Sequence, residues 1–233
     1  MPQNTALKYS SKVDERFKLK ELTGNGLNTD YDWNDVDEIR VYSINTVPLN
    51  DYVKTGSNRY GTPAELEDTV KSYKLTTDKS FTFTIDRFFK DSQMKAKATG
   101  KALAREIDEE AVPFKDKQRL LVWTKTAIAN SNFQTATLSK TNTYEKLLGM
   151  QAALDEKKIP LVNRIFYVTP FVANFLKLDS SFIKSGDMSQ KMLIKGQVGE
   201  VDGIPVVKIP STYFPQGVDA LLVYTNLQCL HKN

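Results

Sequence analysis

The stretch LDEKKIPLVNRIFYVTPFVANFLK, residues 154–177, decides the fold. At its centre RIFYVT (164–169) is a short apolar run bounded by Pro160 and Pro170, and reads as a strand. Pro170 suits the first position of a helix, so a short helix is expected from there through Leu178. Upstream, residues 142–157 have the spacing of an amphipathic helix, with Leu147, Leu148, Met150, Gln151, Ala153 and Leu154 on a broad apolar face. Downstream, 196–201 and 205–209 read as strands joined by Asp202-Gly203, a dipeptide that favours a tight hairpin turn. Residues 220–225 form a last apolar strand. From residue 142 onward the order is helix, strand, helix, two strands, strand, which describes a compact α/β lobe.

The first half of the chain is different. Residues 1–38 are polar, rich in Asn, Asp, Thr and Gly, with apolar residues spaced singly at Tyr9, Val13, Phe17, Leu19, Leu22 and Trp33. Such an arm cannot build its own core; it docks along another surface or stays a loose terminus, and the spaced anchors favour docking. Residues 39–46 alternate as a strand, and 47–68 hold Pro48, Asn50, Gly56, Gly61 and Pro63, the composition of a long loop. Residues 70–77 and 80–86 then read as strands, the second placing Phe81, Phe83 and Ile85 on one face. Together these segments predict a projecting hairpin with a wide tip, an element that needs a neighbour for stability.

Residues 90–110 predict a polar helix capped by Asp91 or Ser92, with a thin stripe of Met94, Ala98, Ala102 or Leu103, and Ile107. Pro113 is expected to interrupt it before helix resumes over 116–129. The first half thus carries apolar side chains with too little core to cover them, which argues for burial between subunits.

Composition excludes several classes of function. The 233 residues carry 32 Lys+Arg and 28 Asp+Glu, a net charge of +4 that is weak for a dedicated nucleic-acid binder. One cysteine, Cys229, cannot make an internal disulfide, and with one histidine, His231, no zinc site forms without carboxylates. No stretch approaches the roughly 18 apolar residues of a membrane span, and the N-terminus lacks a signal-peptide centre, so synthesis in the cytosol is expected.

Catalytic motifs are missing too. There is no nucleophile elbow, Walker phosphate loop or dinucleotide fingerprint. Gly24-Asn25-Gly26 is a lone G-x-G without a preceding strand, so it is not expected to cradle phosphate. Asp35, Asp37 and Glu38 lack calcium-loop spacing, and Asp108, Glu109 and Glu110 read as a polar helix face. Lys95, Lys97, Lys101 and Arg105 line the polar helix and face DNA or solvent. No catalytic residue, cofactor or metal ligand is expected.

Several strings, in order, resemble the major capsid proteins of tailed bacteriophages, which have the Hong Kong 97 fold. KYSSKVDERFKLKELT (8–23) is similar to their N-terminal arm, and EIRVYSINTVPLNDY (38–52) to the strand entering their extended loop. KSFTFTIDRFFKDSQM (79–94) resembles the return strand and the start of the spine helix, and DKQRLLVWTKTA (116–127) the segment after it. The 154–177 stretch and GQVGEVDGIPVV (196–207) resemble the axial domain.

The resemblance implies an α+β chain with an arm (1–38), an extended β-hairpin loop (39–89), a peripheral domain with a long spine helix (90–137) and an α/β axial domain (138–233). Relatives continue with strands past the position of Asn233, so the axial domain is expected to be truncated. The resemblance further implies a non-enzymatic subunit that forms hexamers and pentamers in an icosahedral virion shell. Assembly takes place in the bacterial host cytoplasm, with scaffold, portal and decoration proteins as possible partners and weak, non-specific contact with packaged double-stranded DNA. Tyr9, Val13, Phe17, Trp33, Phe81, Phe83 and Ile85 are the expected inter-subunit contacts. The alternatives are an encapsulin-like bacterial compartment and, from another class, a DNA-binding module.

Overall fold

The computed structural model of the chain describes residues 20–27, 38–63, 65–74, 77, 79–84, 99–179 and 197–225. It divides into two compact units, one of Thr29–Thr82 with Leu230–Asn233 and the other of Met1–Asn28 with Phe83–Cys229.

The larger unit is built around β3 (Arg164–Val168), the RIFYV run, of which every residue is buried. It pairs in parallel with β5 (Ile204–Lys208) and antiparallel with β6 (Ala220–Tyr224), and β4 (Gln197–Val201) flanks β5 antiparallel, giving the order β4-β5-β3-β6. Alternation along β3 sends side chains to both faces. Phe166 and Val168 join Val201, Ile204 and Val206 on one face, covered by Leu147 and by Val172, Ala173 and Leu176. These come from two helices, α3 (Thr143–Glu156) and α4 (Pro170–Leu178). Ile165 and Tyr167 join Val207, Ile209, Leu221 and Val223 on the other face, covered by Leu120 and Trp123. The Asp202-Gly203 turn has the expected positive φ at both residues, 50° and 75°. Pro170 opens α4, as its fixed φ allows. In α3 the buried residues are Thr143, Leu147 and Gln151, a narrower stripe than expected; Ala153 is exposed.

Leu120 and Trp123 belong to a helix whose course corrects the expected break at Pro113. α1 (Thr99–Glu106), a π turn (Ile107–Ala111) and α2 (Val112–Ala129) follow without interruption, over 8, 5 and 18 residues. In the π turn the Val112 N–H donates to the carbonyl of Ile107, five residues back. This widens the backbone where the ring of Pro113 would otherwise meet the carbonyl four residues earlier, and where a proline has no N–H to give. At 1.5 Å per residue the rod is roughly 45 Å long. Its second half roofs one face of the sheet, so Leu120 and Trp123 add to the core of the lobe expected from residue 142 onward. The expected helix start at residue 90 lies outside the described residues.

The smaller unit is a two-stranded ribbon. β1 (Glu38–Ile44) and β2 (Asp68–Lys74) pair antiparallel in unbroken register from Glu38↔Lys74 to Ile44↔Asp68. The wide tip between them is held by its own bonds: Asn45 N–H to Glu67 O (3.1 Å), Val53 N–H to Arg59 O (3.1 Å) and the Arg59 side chain to Gly56 O (3.2 Å). The Tyr52 and Tyr60 rings pack at 5.4 Å. The expected strand over 80–86 is corrected for residues 80–84, which belong to no strand; residues 85 and 86 lie outside the described residues. Alternation supplies a face, whereas a strand needs a partner for its backbone groups.

Candidate assembly surfaces

The ribbon presents a surface that its own unit does not cover. Cross-strand partners share a face, so the pairs Tyr42↔Val70 and Ile44↔Asp68 put Tyr42, Ile44 and Val70 side by side. Tyr42 is 68% exposed, Ile44 69% and Val70 46%. At the tip Leu49, Tyr60 and Leu66 are exposed as well. Among the described residues the ribbon has these two strands alone, so its outer edges carry no further strand. Exposed apolar faces of this kind are characteristic of surfaces that associate.

The larger unit carries a buried polar clamp. Asp116 and Arg119, one turn apart on α2, are both buried and hold residues 21–23, which lie alongside. The Asp116 carboxylate accepts the backbone N–H of Leu22 and of Thr23, each at 3.2 Å, and the Thr23 hydroxyl. Arg119 donates to the Thr23 hydroxyl oxygen at 3.0 Å and forms an ion pair with Glu21. Beyond the clamp, the 3-10 turn Gly24–Gly26 brings Gly26 onto the stacked rings of Trp123 and Tyr167 (5.4 Å, 18°). A Cβ on Gly26 would lie 2.6 Å from the Tyr167 hydroxyl oxygen and 2.8 Å from the Trp123 ring, closer than real contacts. Leu22 and Leu27 pack against the same core. Leu22, expected among the anchors that dock elsewhere, is therefore covered by its own chain. Below the clamp Tyr213, beneath the Lys117 ammonium at 5.4 Å, has its phenol pushed above the usual 10 by burial and then by the Asp116 charge.

A second buried cation fixes the far side of the lobe. Arg164 donates to the carbonyls of Pro160 (3.0 Å) and Ile159 and pairs with Asp155 at 2.7 Å. It thereby ties the end of α3 to β3, leaving Leu161 and Val162 exposed on the intervening loop. Beside that loop lies a shallow, open depression of about 360 Å³ lined by Gln151, Leu161, Val162, Asp202, Gly203 and Ile204. Gln151 donates to Asp202 there at 2.7 Å. With a single carboxylate and no histidine or cysteine, its lining supplies no acid/base pair. Among the described residues no group of three His, Cys, Asp or Glu is placed to hold a metal ion, and no helix is long and apolar enough to cross a membrane.

Of the expected contact residues, Phe81 and Phe83 are 46% and 40% exposed. Tyr9, Val13, Phe17, Trp33 and Ile85 lie outside the described residues. Sequence reasoning missed Tyr42, Ile44 and Val70, although the period-two placement of Tyr42 and Ile44 in EIRVYSI was the signal. It also missed the Asp116/Arg119 clamp, since i, i+3 charges on a helix ordinarily read as a solvated face.

No protein-family model matches the chain, and no curated protein matches it in sequence. Solved structures do. A Mycobacterium phage Che8 chain is similar with a TM-score of 0.60 at 18% identity, over 94% of this chain and 79% of that one. A chain from the asymmetric unit of the bacteriophage PhiM1 mature capsid is similar with a TM-score of 0.58 at 12% identity, over 89% of this chain and 68% of that one. The α+β fold built on the RIFYV strand, with its long helix and its separate hairpin, is therefore one found in a phage capsid.

Proposed function

We propose that this chain is a phage major capsid protein, a structural subunit that self-assembles into the icosahedral head of a tailed phage. The observation that carries the reading is the exposed apolar face of Tyr42, Ile44 and Val70 on the two-stranded ribbon. The fold shared with a mature phage capsid chain supports it. In this reading residues 39–89 are the extended loop, which lies over a neighbouring subunit, and the long helix through Ile107–Ala111 is the spine of the peripheral domain. Residues 138–233 supply the axial domain, around which hexamers and pentamers form. Phe81, Phe83 and Ile85, with the arm residues Tyr9, Val13, Phe17 and Trp33, add to the contacts between chains.

The chemistry is burial rather than bond making. Obligate interfaces of this kind exceed roughly 2,000 Å², and hairpin faces are a large part of what each copy offers. The net charge of +4 suits weak, non-specific contact with enclosed double-stranded DNA rather than sequence reading. The experiment is expression of the full chain in a bacterial host, followed by sedimentation and negative-stain microscopy. Closed shells are expected, and DNA recovered from them would distinguish a virion head from a compartment that encloses protein cargo. A DNA-binding module would instead remain small and show a steep salt dependence of DNA binding.

A further inference from the structure

The register of the ribbon gives its exposed face a charge pattern as well as an apolar one. Tyr42↔Val70 is the central pair of that face. Arg40↔Ser72 lies two residues to one side and Ile44↔Asp68 two residues to the other, each roughly 7 Å away along the strands. The apolar patch therefore carries a guanidinium at one end and a carboxylate at the other, at equal spacing, and both residues are exposed. Beyond Arg40, Glu38 and Lys74 are cross-strand partners and together add no net charge. The opposite face differs, since Val41 and Tyr73 are already partly buried there. A face with a cation and an anion placed evenly about an apolar centre is complementary to itself turned end for end, which is what a two-fold contact requires.

We propose that the Tyr42 face of each ribbon is covered by the same face of a second copy, stacked antiparallel about a two-fold axis through the Tyr42↔Val70 pair, with Arg40 of each chain meeting Asp68 of the other. The inference rests on the capsid reading, in which another copy covers this face, and names the surface that does so. In this stacking β1 runs over β1 and β2 over β2, so Tyr42 and Val70 each meet their own counterpart. Arg40 comes over Ile44 of the partner subunit, and Asp68 of the partner subunit stands one strand spacing, roughly 4.8 Å, to the side, within the span of an arginine side chain. Arg40 also interacts within its own chain, and its five N–H donors leave room for a carboxylate besides. With the strands stacked parallel instead, Arg40 would lie near Arg40 and Asp68 near Asp68, so charge selects the antiparallel form.

The test uses the full chain carrying Arg40→Glu and, separately, Asp68→Arg. Across its own ribbon each residue faces an uncharged partner, Ser72 and Ile44, so reversal leaves the hairpin pairing intact. Each single variant sets like charges at both symmetry-related contacts, and its assembly threshold in light scattering should rise about tenfold or more. An equal mixture of the two variants should return to the threshold of the unmodified chain, because the reversed charge of one meets the retained charge of the other. The double variant Arg40→Glu/Asp68→Arg should assemble with itself yet sort apart from the unmodified chain, read by energy transfer between differently labelled copies. That sorting decides alone if a single variant does not fold. Unchanged thresholds, defects that mixing does not repair, or free co-assembly of the double variant with the unmodified chain would each overturn the face-to-face pairing, while shells formed by the unmodified chain would keep the capsid reading. An unmodified chain that stays monomeric at every concentration would overturn both.

Discussion

Replacing Tyr42, Ile44 and Val70 together by threonine removes the exposed apolar face of the ribbon while keeping residues that favour strands. Full burial of a side chain of this size stabilises an interface by about 1.5–3 kcal/mol. Tyr42 and Ile44 retain 68% and 69% of their surface in the free chain, and Val70 46%. Each of the first two therefore has about 1–2 kcal/mol still to gain on association, and Val70 about 1, giving roughly 3–5 kcal/mol per hairpin contact. At 1.4 kcal/mol per tenfold change, the triple variant should weaken that contact by about two to three and a half orders of magnitude. Inside the subunit the loss is small: one cross-strand pair, Tyr42↔Val70, worth about 0.2–1 kcal/mol to the ribbon. Light scattering against protein concentration gives the assembly threshold, and thermal unfolding followed by circular dichroism gives subunit stability. The threshold should rise at least a hundredfold with the melting transition of the lobe in place. An unchanged threshold would refute the assignment of this face to another copy. So would equal losses of assembly and of lobe stability, since the effect would then come from misfolding.

Three further outcomes follow from the lobe. Arg164→Leu strips two carbonyls and Asp155 of their donor; because Asp155 is half-exposed and can resolvate, the cost in urea unfolding should be about 2–3 kcal/mol, below that of a fully buried broken pair. Pro113→Ala should change stability by less than about 1 kcal/mol, far from the roughly 3 kcal/mol of a proline in a regular helix interior, because the π turn already accommodates the ring; a gain of several kcal/mol would contradict this. The raised phenol of Tyr213 means that the folded chain holds this proton more tightly than the unfolded chain, so its contribution is complete below pH 10 and is lost as pH rises from there through the folded value. Tyr213→Phe should therefore flatten that part of the alkaline unfolding profile, and an identical slope in both proteins would count against the assignment.

The parts of the fold that were legible in the sequence are those where local pattern and tertiary context agree. RIFYV sits between two apolar layers, so an unbroken run and a buried central strand are the same fact. Asp202-Gly203 specifies its turn because only residues tolerant of positive φ fit there. The strand over 39–46 followed from alternation, and the structure pairs Glu38–Ile44 with Asp68–Lys74. Elsewhere a local rule lost to its surroundings. Pro113 ends a regular helix, but not one that widens by a π turn just before it. Phe81 and Phe83 alternate as a strand should, yet residues 80–84 form no strand, because alternation alone does not supply a ladder. In Gly24-Asn25-Gly26 the structural use of Gly26, a close approach of backbone to Trp123 and Tyr167, depends on residues about 100 and 140 positions away. Asp116 and Arg119 looked like ordinary helix charges because what buries them comes from the opposite end of the chain.

The most direct test of the claim that this hairpin is made to be covered by another copy is the mass of the unmodified chain in solution, by light scattering across a concentration series with microscopy of the heaviest fraction. Closed particles of many copies, forming above a threshold concentration, are the predicted result. A single 26.4 kDa species that persists at every concentration, with the Tyr42 face still open to solvent, would contradict it.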